Sequence, residues 1–598
     1  VVRAVAMLNT IQRIFGCDLR RLALFRLGLG AVLLGDLIDR ARFLEAHYSD
    51  AGILPRALLL GELGFDSLSL HLASGGVALQ GVLFVVAGIA ACALLVGYRT
   101  RTATIVSLIL LASLQARNPM ILLGGDKLLL LLLFWGMFLP LGARFSVDAS
   151  VSESTSPNTH YSIATMALLL QSMYVYFFGA LVKTGATWLP DGTAVQYALL
   201  LEPFATPLGV WMRDLPNLLR GLTYGVFFLE LVAPLLVFSP VFHNPLRIGA
   251  LTALVLLHVG FYVLLKVGIF PFVSLVSLLP FVPTVVWDRI QKKWRTPQRL
   301  SLRIYYDQPC SFCRKICLLL RTFLLLPEVS VLPAQGDSTI GKILVEQNSW
   351  VVVDYDGRHY LRWEAMTALV NHSPAFWPLA AIMRSRPLSK AGERCYRFIA
   401  KHRETLGRFT TAVLPYRPVV VELPRPWRLV VAILLVATLY HNLTYPSYLQ
   451  IQLPEPWRKV TSTLQLNQHW NMFAPDPPDS DWWYYVKGEL VDGSVVDGLR
   501  PDKLNPDWEE RGQVTGFMAD HRWRWYKTRA LLPPWQPKIR RYGHYLCDQW
   551  NQRRQGELSL FKIQIIAMGR EVRTDGNPAE TQQHLLLDEE CGVLRITT

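Results

Sequence analysis

Charge is scarce in this sequence: Asp, Glu, Lys and Arg make up 18% of its 598 residues, while hydrophobic residues make up 52%. That balance is too apolar for an ordinary soluble enzyme and too charged for a membrane bundle alone. Cysteine is scarce too, and eight over this length exclude a disulfide scaffold. A single Cys-x-x-Cys, without a second pair or spaced histidines, is half of a zinc site at best; Cys317, four residues on, could add a third ligand, but no metal is predicted. No phosphate loop and no catalytic triad are visible. No small-residue cleavage site follows the first apolar run, which therefore reads as a retained span rather than a signal peptide. Acidic residues are the minority charge, 45 against 60 basic, for a net charge of +15. In a soluble protein that excess suggests nucleic acid. Here the basic residues sit largely in short loops between apolar runs, so the expected partners are membrane lipids and not nucleic acid.

What is abundant is apolar sequence. A spanning helix needs about 20 mostly apolar residues, because the bilayer interior offers its backbone no water. Candidate spans lie at 22–38, 77–97, 103–117, 120–141, 161–183, 220–240, 247–266 and 268–287, with a ninth at 427–442. Arg13, Arg20 and Arg21, then Arg99 and Arg101, Arg144, Arg247, and the group from Arg289 to Arg303 all fall on one side, the cytoplasmic one by the positive-inside bias. The opposite loops, HYSDAGILP and WLPDGTAVQY, are poor in Lys and Arg. The expected architecture is a polytopic α-helical membrane bundle (1–288), an inserted α/β domain facing the cytoplasm (300–410), one more span (427–442) and an extracytoplasmic α+β domain (443–598), in a bacterial inner membrane. Asp126 and Lys127, at an outer segment end, are expected to form a local ion pair.

The N-terminal pattern LALFRLGLGAVLLGDLIDR…HYSDAGILPR resembles the horizontally transferred transmembrane domain, the family that includes vitamin K-dependent gamma-carboxylase. YVYFFGALVKTGATWLPDGTAVQYAL resembles that family's Tyr-rich span ending in Lys, and LNQHWNMFAPDPP matches a pattern found after its last span. The resemblance implies a quinone or quinol cofactor and a basic Lys at the outer end of the span. Lys183 is the matching position, although Val182 stands where the carboxylase has a second Lys. A desolvated Lys can be a neutral base, but a Lys at a helix end can also snorkel to the interface. Glu230 and His258, nearer the middle of their spans, and Trp188 beside Lys183 are candidate cofactor-binding residues; intramembrane polar groups either line a cavity or pair inside the bundle.

From 301 the chain reads SLRIYYDQPCSFCRKICLLLRTFLLL. A β-rich run from Leu302 to Tyr306 leads through a turn into an amphipathic helix that Cys310 and Cys313 open. A helix N-terminus, together with Arg314 and Lys315, favours the Cys310 thiolate, and Cys313 lies one turn on, placed to resolve a mixed disulfide. Strand, Cys-x-x-Cys, helix is the thioredoxin arrangement. Asp307-x-x-Cys310-x-x-Cys313, with RWEA and AGERCY downstream, resembles the DCC family of thiol–disulfide oxidoreductases over 302–405. Asp307 is expected to tune the pair or to cap its turn, and Cys317 and Cys395 to be buried apolar residues. Asp356-Gly357 marks a hairpin.

In the last part, DWWYYVKGELVDGSVVDGL predicts a hairpin at Asp492-Gly493, LSLFKIQIIAMGREV a strand and RYGHYLCDQWNQR a helix. HRWRWYKTR alternates basic and aromatic residues, as an interfacial anchor does. Cys547 and Cys591 either pair in an oxidising compartment or stay free; their separation leaves both open. Three functions follow from these readings. The first is a membrane-bound thiol–disulfide oxidoreductase with Cys310, Cys313 and Asp307 at its site, a redox-active disulfide as cofactor, and a protein or small thiol as partner. The second is a quinol-dependent, carboxylase-like or epoxidase-like enzyme with Lys183 as base. The third is a non-enzymatic redox-sensing scaffold.

Overall fold

Local capping chemistry sets where the helices of the first half begin and end. The computed structural model describes residues 2–62, 69–152, 158–504, 520–530, 537–574 and 580–592. Helix α1 (Val2–Phe15) is followed by α2 (Leu19–Ala41), which starts where the Asp18 carboxylate accepts from the Arg20 amide. Helix α3 (Val77–Val96) stops at Gly97, whose φ of 71° suits a residue without Cβ. Next come α4 (Thr100–Arg117), α5 (Gly124–Gly136) and α6 (Ile163–Leu181), the last opened by a reciprocal Ser162–Thr165 cap. Helices α7 (Pro216–Val237), α8 (His243–Leu264), α9 (Phe270–Leu278) and α10 (Thr284–Trp294) complete the bundle. Its core is the Leu128–Leu133 run with Trp135, packed on Leu22, Phe25 and Leu29 of α2 and Leu168 and Leu169 of α6.

Among the described residues five helices are long and apolar enough to cross a membrane: α3, α6, α7, α8 and α16 (Arg425–Thr444). A sixth is reached if the pair Phe270–Phe281 and Thr284–Trp294, bent by 84°, counts as one span. The expectation of eight spans and a ninth is therefore revised at particular places. The run at 120–141 is a 13-residue helix, about 20 Å long and buried inside the bundle, cut short by Pro119 before it and Pro140 after it. The run at 268–287 breaks at Pro283. The first candidate span, α2, carries Arg20, Arg21, Arg26, Asp36, Asp39 and Arg40, and buries most of them against its neighbours.

The inserted module has a four-stranded sheet, β1 (Arg303–Tyr306), β2 (Ser330–Pro333), β3 (Val351–Val353) and β4 (His359–Leu361), in the order β2-β1-β3-β4. Strands β1 and β2 run parallel and are linked by α11 (Ser311–Phe323); the other pairings are antiparallel. Leu302, Ile304, Cys317, Val352 and Leu369 fill its core. The β3–β4 hairpin turns at the expected Asp356-Gly357, with Gly357 at φ 74° and Asp354 accepting from the amides of Asp356 and Arg358. Helices α12 (Ser338–Gln347), α13 (Arg362–His372), α14 (Arg386–Lys401) and α15 (Arg403–Val413) surround the sheet. The module meets the bundle at the basic loops: the Tyr98 hydroxyl donates to the Val413 carbonyl at 2.9 Å, and Arg321, Thr322 and Pro327 face Arg144, Phe145 and Ser152 across a cleft of about 150 Å³.

The C-terminal part is an antiparallel sheet of β5 (Ser480–Leu490), β6 (Val495–Asp497), β7 (Arg500–Leu504), β8 (Leu560–Glu571) and β9 (Thr581–Glu590), ordered β9-β8-β5-β6-β7. The predicted Asp492-Gly493 turn joins β5 to β6, and the predicted helix is α18 (Pro537–Asn551). The segment expected to anchor in the interface is instead helix α17 (His521–Ala530), docked into the bundle. Arg522 is fully buried and reaches Asp36 at 2.5 Å, Asp126 at 3.3 Å and Asp39 at 3.3 Å; Arg40 shares Asp36 at 2.7 Å and Asp126 at 2.5 Å. Arg524 donates to the carbonyls of Pro203 and Lys266. Carboxylates buried at the ends of α2 and α5 need fixed counter-charge more than lipid head groups need an anchor. The same network overturns the local Asp126–Lys127 pair: Lys127 Nζ donates to the Gln465 carbonyl at 3.1 Å and to Asn467 at 3.3 Å.

Candidate redox site and the buried lysine pair

Strand β1 delivers the chain to a turn closed by the Cys310 amide donating to the Asp307 carbonyl at 3.0 Å. Cys310 is then the N-cap of α11, and its Sγ accepts from the Cys313 amide at 3.1 Å. The two sulfurs form a disulfide with a Cα–Cα distance of 5.2 Å. Gln308, Pro309 and Ser311 beside them are exposed, so a partner has access. When the bond is reduced, the free amides and the dipole at the helix N-terminus stabilise negative charge on Cys310.

The Asp307 side chain takes its partners outside the cysteine turn. Its carboxylate accepts from Gln335 Nε2 at 2.8 Å and lies 3.5 Å from Arg403 of α15, so it fixes the turn between β1, the loop after β2, and α15. The turn itself is capped by the Asp307 backbone, not by its side chain. Gln335 and Arg403 carried no signal in the sequence, because the fold alone brings them to Asp307. Lys315, expected to favour the thiolate, is buried; its Nζ donates to the Thr410 carbonyl at 3.1 Å and lies 5.1 Å from the Tyr416 ring centroid, and burial lowers its pKa. Cys317 is buried as expected, and burial pushes its thiol up to about 12. Cys395 is exposed on α14, where a core position was expected, because its helix turns that face outward. Among the described residues no three His, Cys, Asp or Glu side chains gather as a metal site.

In the bundle the structure brings together three of the four predicted residues. Lys183, just beyond the end of α6, pairs through Nζ with the Glu230 carboxylate of α7, and the same Nζ lies 4.4 Å from the Trp188 ring centroid. All three are buried, at 7%, 7% and 3% exposure, which excludes a lysine snorkelling to the surface. His258 of α8 does not join them. Its Nε2 lies 2.6 Å from the Tyr176 hydroxyl, among the rings of Phe261 and Phe270. Tyr176 stands on α6 seven residues before Lys183, about two helical turns, a spacing that could have identified it.

The wall of the lysine site comes from the other end of the chain. Trp188 Nε1 donates to the Phe473 carbonyl at 2.8 Å, the Gly185 amide to Pro475 at 3.2 Å, and the Thr187 amide and hydroxyl to Asp476 at 3.1 and 2.5 Å. A Cβ on Gly185 would sit 1.8 Å from Asp476 Oδ2, so only glycine lets this carboxylate approach. Gln171 of α6 donates to Gln468 at 2.6 Å, and Trp470 donates to the same oxygen at 2.9 Å.

Comparison with known families agrees with this division. Residues 16–287 match the model of the HTTM domain, and residues 304–409 match that of the DCC1-like thiol-disulfide oxidoreductase. No curated protein and no solved structure matches the chain. The chain is thus a membrane protein with apolar helices in an HTTM domain, joined to a thiol–disulfide oxidoreductase domain of the DCC1-like kind.

Proposed function

We propose, from the premise that these two domains share one chain, that the protein is a membrane-bound thiol–disulfide oxidoreductase whose thioredoxin-like module works through Cys310 and Cys313. The observation that carries this reading is the position of Cys310 Sγ at the N-cap of α11, bonded to Cys313 and flanked by exposed residues. The order β2-β1-β3-β4, one parallel pair followed by two antiparallel ones, supports the thioredoxin-like assignment. In the reduced module, the Cys310 thiolate attacks a substrate disulfide; one S–S bond forms, one breaks, and the first substrate thiolate leaves and takes up a proton. Cys313, losing its proton, then attacks Cys310 Sγ and expels the second thiolate. Two electrons and two protons pass to the substrate, and a protein or small thiol returns them. The module lies against the loops bearing Arg99 and Arg144, whereas the C-terminal domain lies against Ala51 and Gly52 of the opposite set; this supports a cytoplasmic module and an extracytoplasmic C-terminal domain in a bacterial inner membrane. The full chain in detergent should exchange disulfides, and Cys310→Ser should reduce that to background. Cys313→Ser should accumulate a mixed disulfide. Unchanged turnover in Cys310→Ser would end this reading.

A second reading rests on the buried pair of Lys183 and Glu230 under Trp188: a quinol-dependent, carboxylase-like or epoxidase-like enzyme. The residues fit such a group, since an indole face offers a flat apolar surface beside a pair able to take up and share a proton. A bound quinol would supply two electrons and an acidic hydroxyl. Lys183 Nζ would hold the proton, Glu230 would share it, and the loop at 466–478 would keep water out. Lys183→Met should abolish oxygen uptake driven by reduced quinone while leaving disulfide exchange intact; uptake unchanged in that variant rules the base out.

A further inference from the structure

A cavity of about 470 Å³ opens where α1, the start of α2, the α7–α8 turn and the start of α10 meet, away from both sites above. It falls within the size range of small-ligand pockets, roughly 300–1,000 Å³. Its charge is one-sided: Arg13, Arg21 and Arg247 line it with His243, Asn244 and Thr284, and no acidic residue is among its lining. Arg21 and Arg247 are 4% and 2% exposed, yet among the described residues neither meets a carboxylate within ion-pair distance. Backbone oxygens and one hydroxyl hold them instead. Arg21 donates to the Pro280 carbonyl and to Thr284 Oγ1, each at 3.0 Å, and Arg247 to Val237 at 3.1 Å and Ile14 at 2.7 Å. Arg21 Nε is buried with no hydrogen-bond partner. The adjacent acid, Asp18, is taken up by Arg20 at 2.6 Å. Phe242, which lines the cavity, and its chain neighbour Val241 are 76% and 62% exposed, large apolar side chains beside a basic cavity.

Two buried cations without a counter-charge carry a desolvation cost, and that cost falls when an anion enters. Guanidinium groups match phosphate oxygens in bidentate geometry. We propose that this cavity binds a phosphate-bearing anion between Arg21 and Arg247, and that its source is the head group of an anionic phospholipid. The exposed apolar turn selects that source over free phosphate: a phosphate enters the basic cavity while acyl chains cover Val241 and Phe242.

The test uses the full chain in detergent, with native mass spectrometry to follow retained phosphatidylglycerol against phosphatidylcholine, and thermal unfolding with added inorganic phosphate. Phosphatidylglycerol should be retained where phosphatidylcholine is lost. Arg13→Gln with His243→Gln alters the rim and leaves Arg21 and Arg247 in place; it should weaken that retention about tenfold with an unchanged melting temperature. Phe242→Ser should weaken lipid binding and leave any phosphate response alone. Stabilisation by inorganic phosphate, lost in the double variant and without lipid selectivity, would uphold the anion site and overturn the lipid as its source. Equal retention of both lipids with no phosphate response, or equal retention of phosphatidylglycerol by wild type and double variant, overturns the site.

Discussion

Cys310 and Cys313 stand three residues apart at the half-exposed start of a helix, whereas Cys547 and Cys591 are 44 apart and tie α18 to the end of β9. The first pair closes almost no loop, so its bond constrains little chain entropy, and its backbone surroundings stabilise the thiolate that exchange requires. The second closes a long loop, with Cys547 packed among Ile563, Leu587 and Tyr542 in the core of the C-terminal domain. The chemistry of the bond is the same in both. Loop length, access and the helix terminus suit one to exchange and the other to clamping.

The sharpest way to break that comparison is to remove each pair in turn. Loss of Cys310 should drop exchange to background, the largest effect predicted for any substitution in the chain. Removal of the clamp in Cys547→Ala/Cys591→Ala should leave exchange unchanged. If the clamp variant loses exchange with its fold intact, the division between the two pairs is wrong.

The exchanger was legible because its chemistry is local. Strand, turn, Cys-x-x-Cys and helix occupy one short stretch, and the spacing alone places Cys310 at a helix N-terminus. The clamp was not, since 44 residues and two elements lie between its sulfurs. The same distinction holds in the bundle. The Lys183–Trp188 neighbourhood was visible because both residues lie in one turn after α6, but the wall contributed by Phe473, Pro475 and Asp476 depends on packing between distant segments. HRWRWYKTR was misread for a related reason: its alternation describes an interfacial strip, and only the buried Asp36 and Asp126, with the half-buried Asp39, reveal that Arg522 points into protein. Hydropathy also marked more candidate spans than there are described helices long and apolar enough to cross a membrane, because an apolar run buried within a bundle looks like one facing lipid.

A middle-sized effect tests the clamp itself. Closing a loop of this length is worth about 4 kcal/mol in the chain-entropy description, less any native-state adjustment. In Cys547→Ala/Cys591→Ala the C-terminal domain should therefore lose protection against hydrogen exchange in β8 and β9 by a few kcal/mol, while β1 and β3 of the module keep theirs. Equal loss in both sheets would show that the domains unfold as one unit, and the comparison would fail at the level of stability.

The smallest expected effect concerns pH, and it separates the two regions by the sign of their response. Exchange should rise with pH as the attacking thiol ionises. The C-terminal domain should respond in the opposite sense through Asp481, the second residue of β5, which accepts from the Glu202 amide at 3.3 Å and is 3% exposed. Burial pushes its carboxyl up from the ordinary 3.8 to about 6, with the Glu202 charge adding to the rise and the Glu202 amide and Arg570 opposing it. Below pH 3.8 both folded and unfolded chains hold the proton. Between 3.8 and about 6 the unfolded chain ionises first, so each step upward in pH disfavours the fold; above about 6 the cost is complete, about 3 kcal/mol. Asp481→Asn keeps an acceptor for the Glu202 amide and removes the charge. Hydrogen-exchange protection of β5, corrected for intrinsic rates, should fall between pH 4 and 6 in the wild type, stay level in Asp481→Asn, and at pH 7 be higher in the variant. A variant that is less protected at pH 7 would mean that the ionised carboxylate holds β5 against the bundle.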